Sequence, residues 1–366
     1  MDIKGKITGI KYKILLSEDL QTIELNKFNI NKISSFCLLK DGKSSFAVSK
    51  WVSPKRTRSY PYERVYNTLN ISKKITIIPI IKDEGFDGDR DFLQWDTISL
   101  MSLLDVFVIF AFYNKAVKNP DYENKITDFQ FDNKYVISKI KEIEQYHSSA
   151  LHWNLNELKN NLHNIVDKAK NSFEKIEKQT GVMLHHQKGI ENFKKKIDKD
   201  VSNFMEFSRE KAKKAQSREM KTTQPKERLS TNTKAKITIT NYLGGQYFFT
   251  VDEVFLDKDT VYLIEGKHSK QGILPSKGDI KDGLLKMILY SNLCEVEVDG
   301  KPMKSKAVLS LTSEKIEGEI SSEASLKKMS VFLLNNNFSE EQIRIIGDLT
   351  DEAMGNGFII KIGGAK

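Results

Sequence analysis

The chain has 366 residues, 39% apolar and 29% charged, and its 58 Lys and Arg against 49 Asp and Glu leave a net charge of +9. That length accommodates two or three domains with full cores, and the basic surplus suits a polyanionic partner. Only two cysteines, Cys37 and Cys294, are present, which excludes a disulfide framework or a cysteine zinc cluster and fits a reducing cytoplasm. The first residues lack the apolar core of a signal peptide, and the longest apolar run, residues 106–113, is too short to span a membrane.

Residues 1–133 read as an α/β domain. Strand-like runs occupy residues 6–15 and 34–52, and Asp41-Gly42 is a hairpin turn signal. The segment 53–62, SPKRTRSYPY, sets Lys55, Arg56 and Arg58 beside Tyr60 and Tyr62. Such a loop suits phosphate clamping and base stacking, or a solvated basic surface. A short helix is expected over 63–69, a buried strand over 74–81, a helix over 97–104 and a second buried strand over 105–113. Between these, residues 82–96 hold Asp83, Glu84, Asp87, Asp89, Asp91 and Asp96. The spacing Asp87-x-Asp89-x-Asp91 has the look of a calcium loop, but Ile98 stands at the twelfth position, where a Glu is needed. An acidic surface loop paired internally with Arg90 is the plainer expectation. Arg90 and its acids also suit base-edge readout.

Residues 134–220 change character. Leu151, Leu155, Leu158, Leu162, Ile165, Ala169, Phe173 and Ile176 recur at steps of three and four, predicting one long amphipathic helix ended by Gly181. A second helix is expected over 190–215, so this region reads as a helical hairpin or arm. Residues 134–228 carry 21 Lys and Arg against 13 Asp and Glu, a surplus of 8 that nearly equals that of the whole chain. A basic helical surface of this kind suits a nucleic-acid backbone, or is a solvated helix face. His147, His152, His163, His185 and His186 lack the i,i+4 spacing of a helical zinc pair and are expected to be structural. Residues 221–235, polar and Thr-rich around Pro225, read as a linker.

The informative stretch follows, within a domain expected over 236–320. Residues 247–256 form a first strand, Asp257, Lys258 and Asp259 a polar turn, and residues 260–268 a second strand. Side chains alternate along a strand, so Glu265 and Lys267 share a face and Gly266 points the other way. Hairpin pairing brings Asp252 close to them. Two neighbouring carboxylates repel and favour a cation, and a divalent metal satisfies them. A helix over 279–293 and an apolar strand over 306–311 come next, and residues 321–366 read as a helical tail with a helix near 323–335 and a helix start at Ser339.

Asp252, twelve intervening residues, then Glu265-Gly266-Lys267 resembles the signature of the PD-(D/E)xK nucleases, and the strand-turn-strand-helix-strand order resembles their shared core. Val251 replaces the usual Pro. Lys286 and Tyr290 stand where RecB-like members carry Gln-x-x-x-Tyr. The resemblance implies a restriction-endonuclease-like core with a central mixed sheet, beside the N-terminal α/β domain and the long helical segment. It also implies catalytic Asp252, Glu265 and Lys267, with one or two Mg²⁺ held by Asp252, Glu265 and the Gly266 carbonyl. A helix before the core often adds an acid in that family, and Glu206, Glu210 and Glu219 are all placed for it. Lys55, Arg56, Arg58, Arg90 and Lys286 are the expected DNA contacts. The large non-catalytic portion and the absence of a P-loop most resemble a type II restriction endonuclease. That implies double-stranded DNA as substrate, a homodimer on a palindromic site, a companion DNA methyltransferase and a bacterial cytosol. The rival readings are a RecB-like exonuclease or repair nuclease, and a non-catalytic DNA-binding protein.

Overall fold

The structure, a computed structural model, describes residues 1–16, 18–42, 44–55, 61–197, 201–220 and 234–364. Arg56, Arg58 and Tyr60, and most of the expected linker, lie outside the described residues. The fold is mixed α/β and divides into two compact units, Asp19–Glu210 and Met1–Glu18 with Lys211–Lys366. The first strand, β1 (Asp2–Ile7), belongs to the second of these. The composition boundary at 134 is therefore not a boundary between compact units, and the first 18 residues pack with the end of the chain.

In the unit Asp19–Glu210, β2 (Thr22–Glu24), β3 (Phe36–Asp41) and β4 (Ser44–Lys50) are followed by α1 (Pro61–Thr68) and β5 (Lys74–Pro79). Gly42 turns the β3–β4 hairpin at φ +55°, a conformation open to a residue without Cβ. A two-stranded ribbon, β6 (Ile81–Asp83) with β7 (Arg90–Phe92), leads into α2 (Trp95–Leu103) and β8 (Val106–Ala111). The main sheet runs β2-β3-β4-β5-β8. Every residue of β5 and β8 is buried and the two are parallel, which is why β8 is an unbroken apolar run and β5 is one but for Lys74 and Thr76.

The expected strand at 105–113 ends at Ala111, and Tyr113 opens a further hairpin, β9 (Tyr113–Lys118) with β10 (Ile126–Phe131). Then come α3 (Asn133–Glu144), α4 (Ala150–Asn160), α5 (Leu162–Thr180), α6 (Lys188–Ile197) and α7 (Val201–Glu219). The single helix expected from 151 is two, broken at Asn161 (φ −119°, ψ −19°), and Gly181 ends the second at φ +66°. These helices are not a free arm, because α3 and α4 pack on β8 and α5 on β9. Buried Asn154 of α4 acts as a substitute strand on the outer edge of β8: its Oδ1 accepts from Val108 N at 2.7 Å and its Nδ2 donates to Val106 O at 2.9 Å. The edge is thereby closed to further pairing.

In the second unit, β11 (Ala235–Asn241) and β12 (Gln246–Val251) precede β13 (Glu253–Asp257) and β14 (Thr260–Ser269). The strand expected over 247–256 is broken at Asp252. Before it, β12 pairs with β11; after it, β13 pairs antiparallel with β14 in a different sheet. The chain continues through α8 (Lys277–Ser291), β15 (Cys294–Val298), β16 (Lys301–Pro302), β17 (Lys304–Ser313), β18 (Glu319–Ser321), α9 (Leu326–Asn335), α10 (Glu340–Asn356) and β19 (Ile359–Gly364). One sheet runs β12-β11-β1-β15-β16 and the other β13-β14-β17-β19-β18. In the latter, β14, β17 and β19 are parallel, and α8 packs on β14 and β17.

Residues before Glu18 thread along this unit and are held by side chains. Glu352, fully buried on α10, accepts from Tyr12 Oη (2.8 Å), Leu15 N and Leu16 N (2.9 Å each). Asn356 bonds both Lys13 N and O, and Asn292 both Lys11 N and O. Glu18 pairs with fully buried Lys281 of α8.

Candidate active site

The break at Asp252 places a carboxylate at the junction of two sheets. The β13–β14 register, Glu253 opposite Ile264, carries Asp252 alongside Glu265. Asp252 Oδ2 accepts a hydrogen bond from Gly266 N at 3.0 Å, so the side chain is fixed by the backbone of the very segment it faces. Both acids are buried: Asp252 is 5% exposed and Glu265 1%.

Glu265 and Lys267 do share a face, with Lys267 Nζ 3.0 Å from Glu265 Oε1. On β17 their partners in register are Leu309 and Leu311, which supply an apolar floor. Above it lies α8. The helix comes close because residue 283 is Gly: a Cβ there would stand 2.6 Å from Leu309 Cδ1 and 3.4 Å from Lys267 Cε. One turn further along α8, Lys286 reaches down and puts its Nζ 2.7 Å from Glu265 Oε2. Each oxygen of Glu265 thus has its own ammonium.

Burial opposes ionisation of Glu265, but Lys286 and then Lys267 outweigh it and hold the carboxyl at about 2. For Lys267, burial pulls the ammonium down, while Glu265 and, less strongly, Asp252 push it up, and the net direction is upward. Two carboxylates and two ammonium groups form a buried cluster whose formal charges cancel. The carboxylates supply hard oxygen donors of the type Mg²⁺ takes, and Glu265 stays ionised across the physiological range, so the donor set fits that ion. Among the described residues there is no group of three or more His, Cys, Asp or Glu placed to hold a metal, so any ion here relies on two acids completed by main-chain oxygen, water or substrate.

The other expected residues have different surroundings. Lys55 and Arg90 belong to the unit Asp19–Glu210. Lys55 Nζ lies 3.4 Å from Asp91 Oδ1, and Asp91 also accepts from Ser53 Oγ at 3.1 Å. Arg90 is largely buried: it donates to His186 O at 3.0 Å, stands 3.8 Å from buried Asp83 and stacks on Phe92. A Cβ on Gly189 would collide with its guanidinium. Arg90 is committed inside its unit rather than presented to a base. The acids of residues 82–96 also diverge: Asp83 binds His185 Nδ1 (2.8 Å), Asp91 binds Ser53 and Lys55, and Asp87 accepts from Asn124 (2.9 Å). Asp87 and Asp91 of the calcium-like spacing thus have separate partners, and His185 Nδ1 is engaged by Asp83. Of the candidate acids on α7, Glu206 and Glu210 are exposed, and the side chain of Glu219 lies outside the described residues.

One residue of the site carried a sequence signal that the strand pattern alone does not use. Gly283 is a lone glycine inside a helical stretch, which calls for a packing reason. Lys281 carried no signal, because its partner Glu18 is more than 250 residues distant in the chain. Compared with known proteins, the chain matches no family model, no curated protein and no solved structure.

Proposed function

We propose that the chain is a Mg²⁺-dependent, site-specific endonuclease for double-stranded DNA, with a restriction-endonuclease-like core in the second unit. The observation that carries this reading is the buried convergence of Asp252, Glu265 and Lys267 where β12 gives way to β13. The order β13, β14, α8, β17, with β14 and β17 parallel, accords with it. So does the basic balance of the chain.

Asp252, Glu265 and the Gly266 carbonyl would hold Mg²⁺. When bound, the ion supplies a water of lowered pKa and neutralises charge at phosphorus. Lys267, held charged by Glu265, orients the attacking water or stabilises the negative charge growing on the phosphoryl oxygens. Asp252 is kept in place by Gly266 N, so its position costs no reorganisation when substrate arrives. Leu309 and Leu311 close the floor of the site to solvent and raise the strength of each charge interaction within it. On the restriction-enzyme reading, a homodimer on a two-fold symmetric site and a companion methyltransferase follow.

The test uses the purified full chain with long unmethylated linear DNA and with supercoiled plasmid, in Mg²⁺ and in EDTA, beside Glu265→Gln and Lys267→Ala. Discrete Mg²⁺-dependent fragments lost in both variants support the proposal. A smear from linear DNA alone points to the exonuclease that the placement of Lys286 and Tyr290 resembles. A salt-sensitive gel shift without cleavage, unchanged by either variant, leaves a DNA-binding protein and overturns the proposal.

A further inference from the structure

Glu265 has two oxygens and two lysines, and only one of those lysines belongs to the catalytic pattern. Lys267 stands on the same strand, where it accompanies Glu265 by the alternation of side chains. Lys286 comes from α8, at 2.7 Å from Oε2, and its side chain is 15% exposed. It occupies the oxygen that Lys267 does not, Oε2, while Lys267 stands at Oε1. We propose that Lys286 is a resident counter-ion, holding the place of the divalent cation at Glu265 until DNA arrives and then passing to the scissile phosphate.

The inference rests on the nuclease reading and deepens it. With both lysines in place, the cluster of Asp252, Glu265, Lys267 and Lys286 is formally neutral. A divalent ion entering it creates a local charge of +2 in a buried site, which is unfavourable without added anions. Phosphate oxygens of a bound duplex provide them. Lys286, released from Glu265 Oε2, remains beside the site on a flexible four-carbon stem and finds a new anion in the phosphate. Ion loading is then tied to DNA binding, and the free protein carries little metal. Removing the Lys286 charge leaves two carboxylates with one ammonium, a net negative cluster that takes a divalent ion by itself.

The experiment measures Mn²⁺ binding by calorimetry to the full chain without DNA, for wild type, Lys286→Gln, Lys286→Arg and Lys286→Gln with Glu265→Gln. A Gln amide donates to Oε2 and keeps it satisfied without charge; an Arg keeps the charge. The expected result is Mn²⁺ affinity at least about tenfold higher in Lys286→Gln than in wild type or Lys286→Arg, with the gain abolished by adding Glu265→Gln. A second measurement needs no variant. Acetylation of wild-type lysines, read by mass spectrometry, rises at Lys286 on saturation with Mn²⁺ and stays flat at buried Lys281. Equal Mn²⁺ affinity in wild type and Lys286→Gln, both abolished by Glu265→Gln, overturns the counter-ion role and leaves the nuclease reading standing, as does unchanged Lys286 labelling at saturation. Absence of any Glu265-dependent binding, in all forms, overturns both.

Discussion

Glu265 ties the site to acid stability. Its carboxyl is lowered from the ordinary 4.5 to about 2 by two lysines that more than offset its burial. A group whose folded pKa lies below its unfolded one stabilises the fold fully above the unfolded value. That contribution is lost as pH falls through the folded value. The drop from 4.5 to about 2, at about 1.4 kcal/mol for each pH unit, corresponds to about 3 kcal/mol. Glu265→Gln has no such titration, so the difference in unfolding free energy between wild type and variant should be about 3 kcal/mol larger at about pH 6 than at about pH 2. Acids outside the cluster titrate alike in both proteins and cancel. The probe needs care, because all three tryptophans, Trp51, Trp95 and Trp153, lie in Asp19–Glu210 and report that unit. Urea unfolding followed by hydrogen exchange at the amides of β14 reads the right one. A wild-type-to-variant difference that stays constant from pH 6 to pH 2 would refute the assigned pairing of Glu265 with its lysines.

Three further outcomes are expected. Glu352→Ala removes the acceptor that Tyr12 Oη and the amides of Leu15 and Leu16 share, and should cost the second unit about 2–4 kcal/mol in denaturant melts, with Glu352→Gln costing clearly less because it keeps one acceptor. Asn154→Ala leaves Val108 N and Val106 O unpaired in the core and should cost the other unit about 2–4 kcal/mol, read by tryptophan fluorescence; a neutral result would remove the edge-closing role. Gly283→Ala gains about 1 kcal/mol of helix propensity but drives a methyl to 2.6 Å from Leu309 Cδ1, in a core where Leu309 is fully buried. Overpacking of about 1–3 kcal/mol should outweigh the gain, so the variant should melt lower; a higher melting temperature would contradict the close docking of α8.

What was legible in the sequence was what short-range periodicity encodes. Alternation put Glu265 and Lys267 on one face and named the hairpin and its turn, where Lys258 takes φ +51°. The three-four spacing from Leu151 to Ile176 found the helical stretch, and Ser339 announced the start of α10, where the structure adds a capping box with Gln342. Tertiary choices left no such trace. Nothing local says that β12 and β13 serve different sheets, because strand-forming residues stand on both sides of Asp252 with no turn residue between them. The helix break at Asn161 follows from docking α4 on β8 and α5 on β9, not from a helix-breaking residue. The pairing of Arg90 with an acid of its own loop, Asp83, is local and legible, whereas the His186 carbonyl that it also binds and the His185 ring on Asp83 lie nearly a hundred residues on.

The pairing of β1 with β11 has a consequence for synthesis. Asp2 sits in register with Lys236, and β1 is the middle strand of its sheet, between β11 and β15. At about 5–20 residues per second on the ribosome, the first strand waits roughly 12–47 s for its partner, while the whole of Asp19–Glu210 emerges and folds. The β11–β12 and β15–β16 hairpins then present two open edges that only a β1 strand joins. On a crowded polysome the first strand of a neighbouring chain fits that gap as well as its own, so the order of emergence, rather than the native contacts alone, governs how many chains close on themselves.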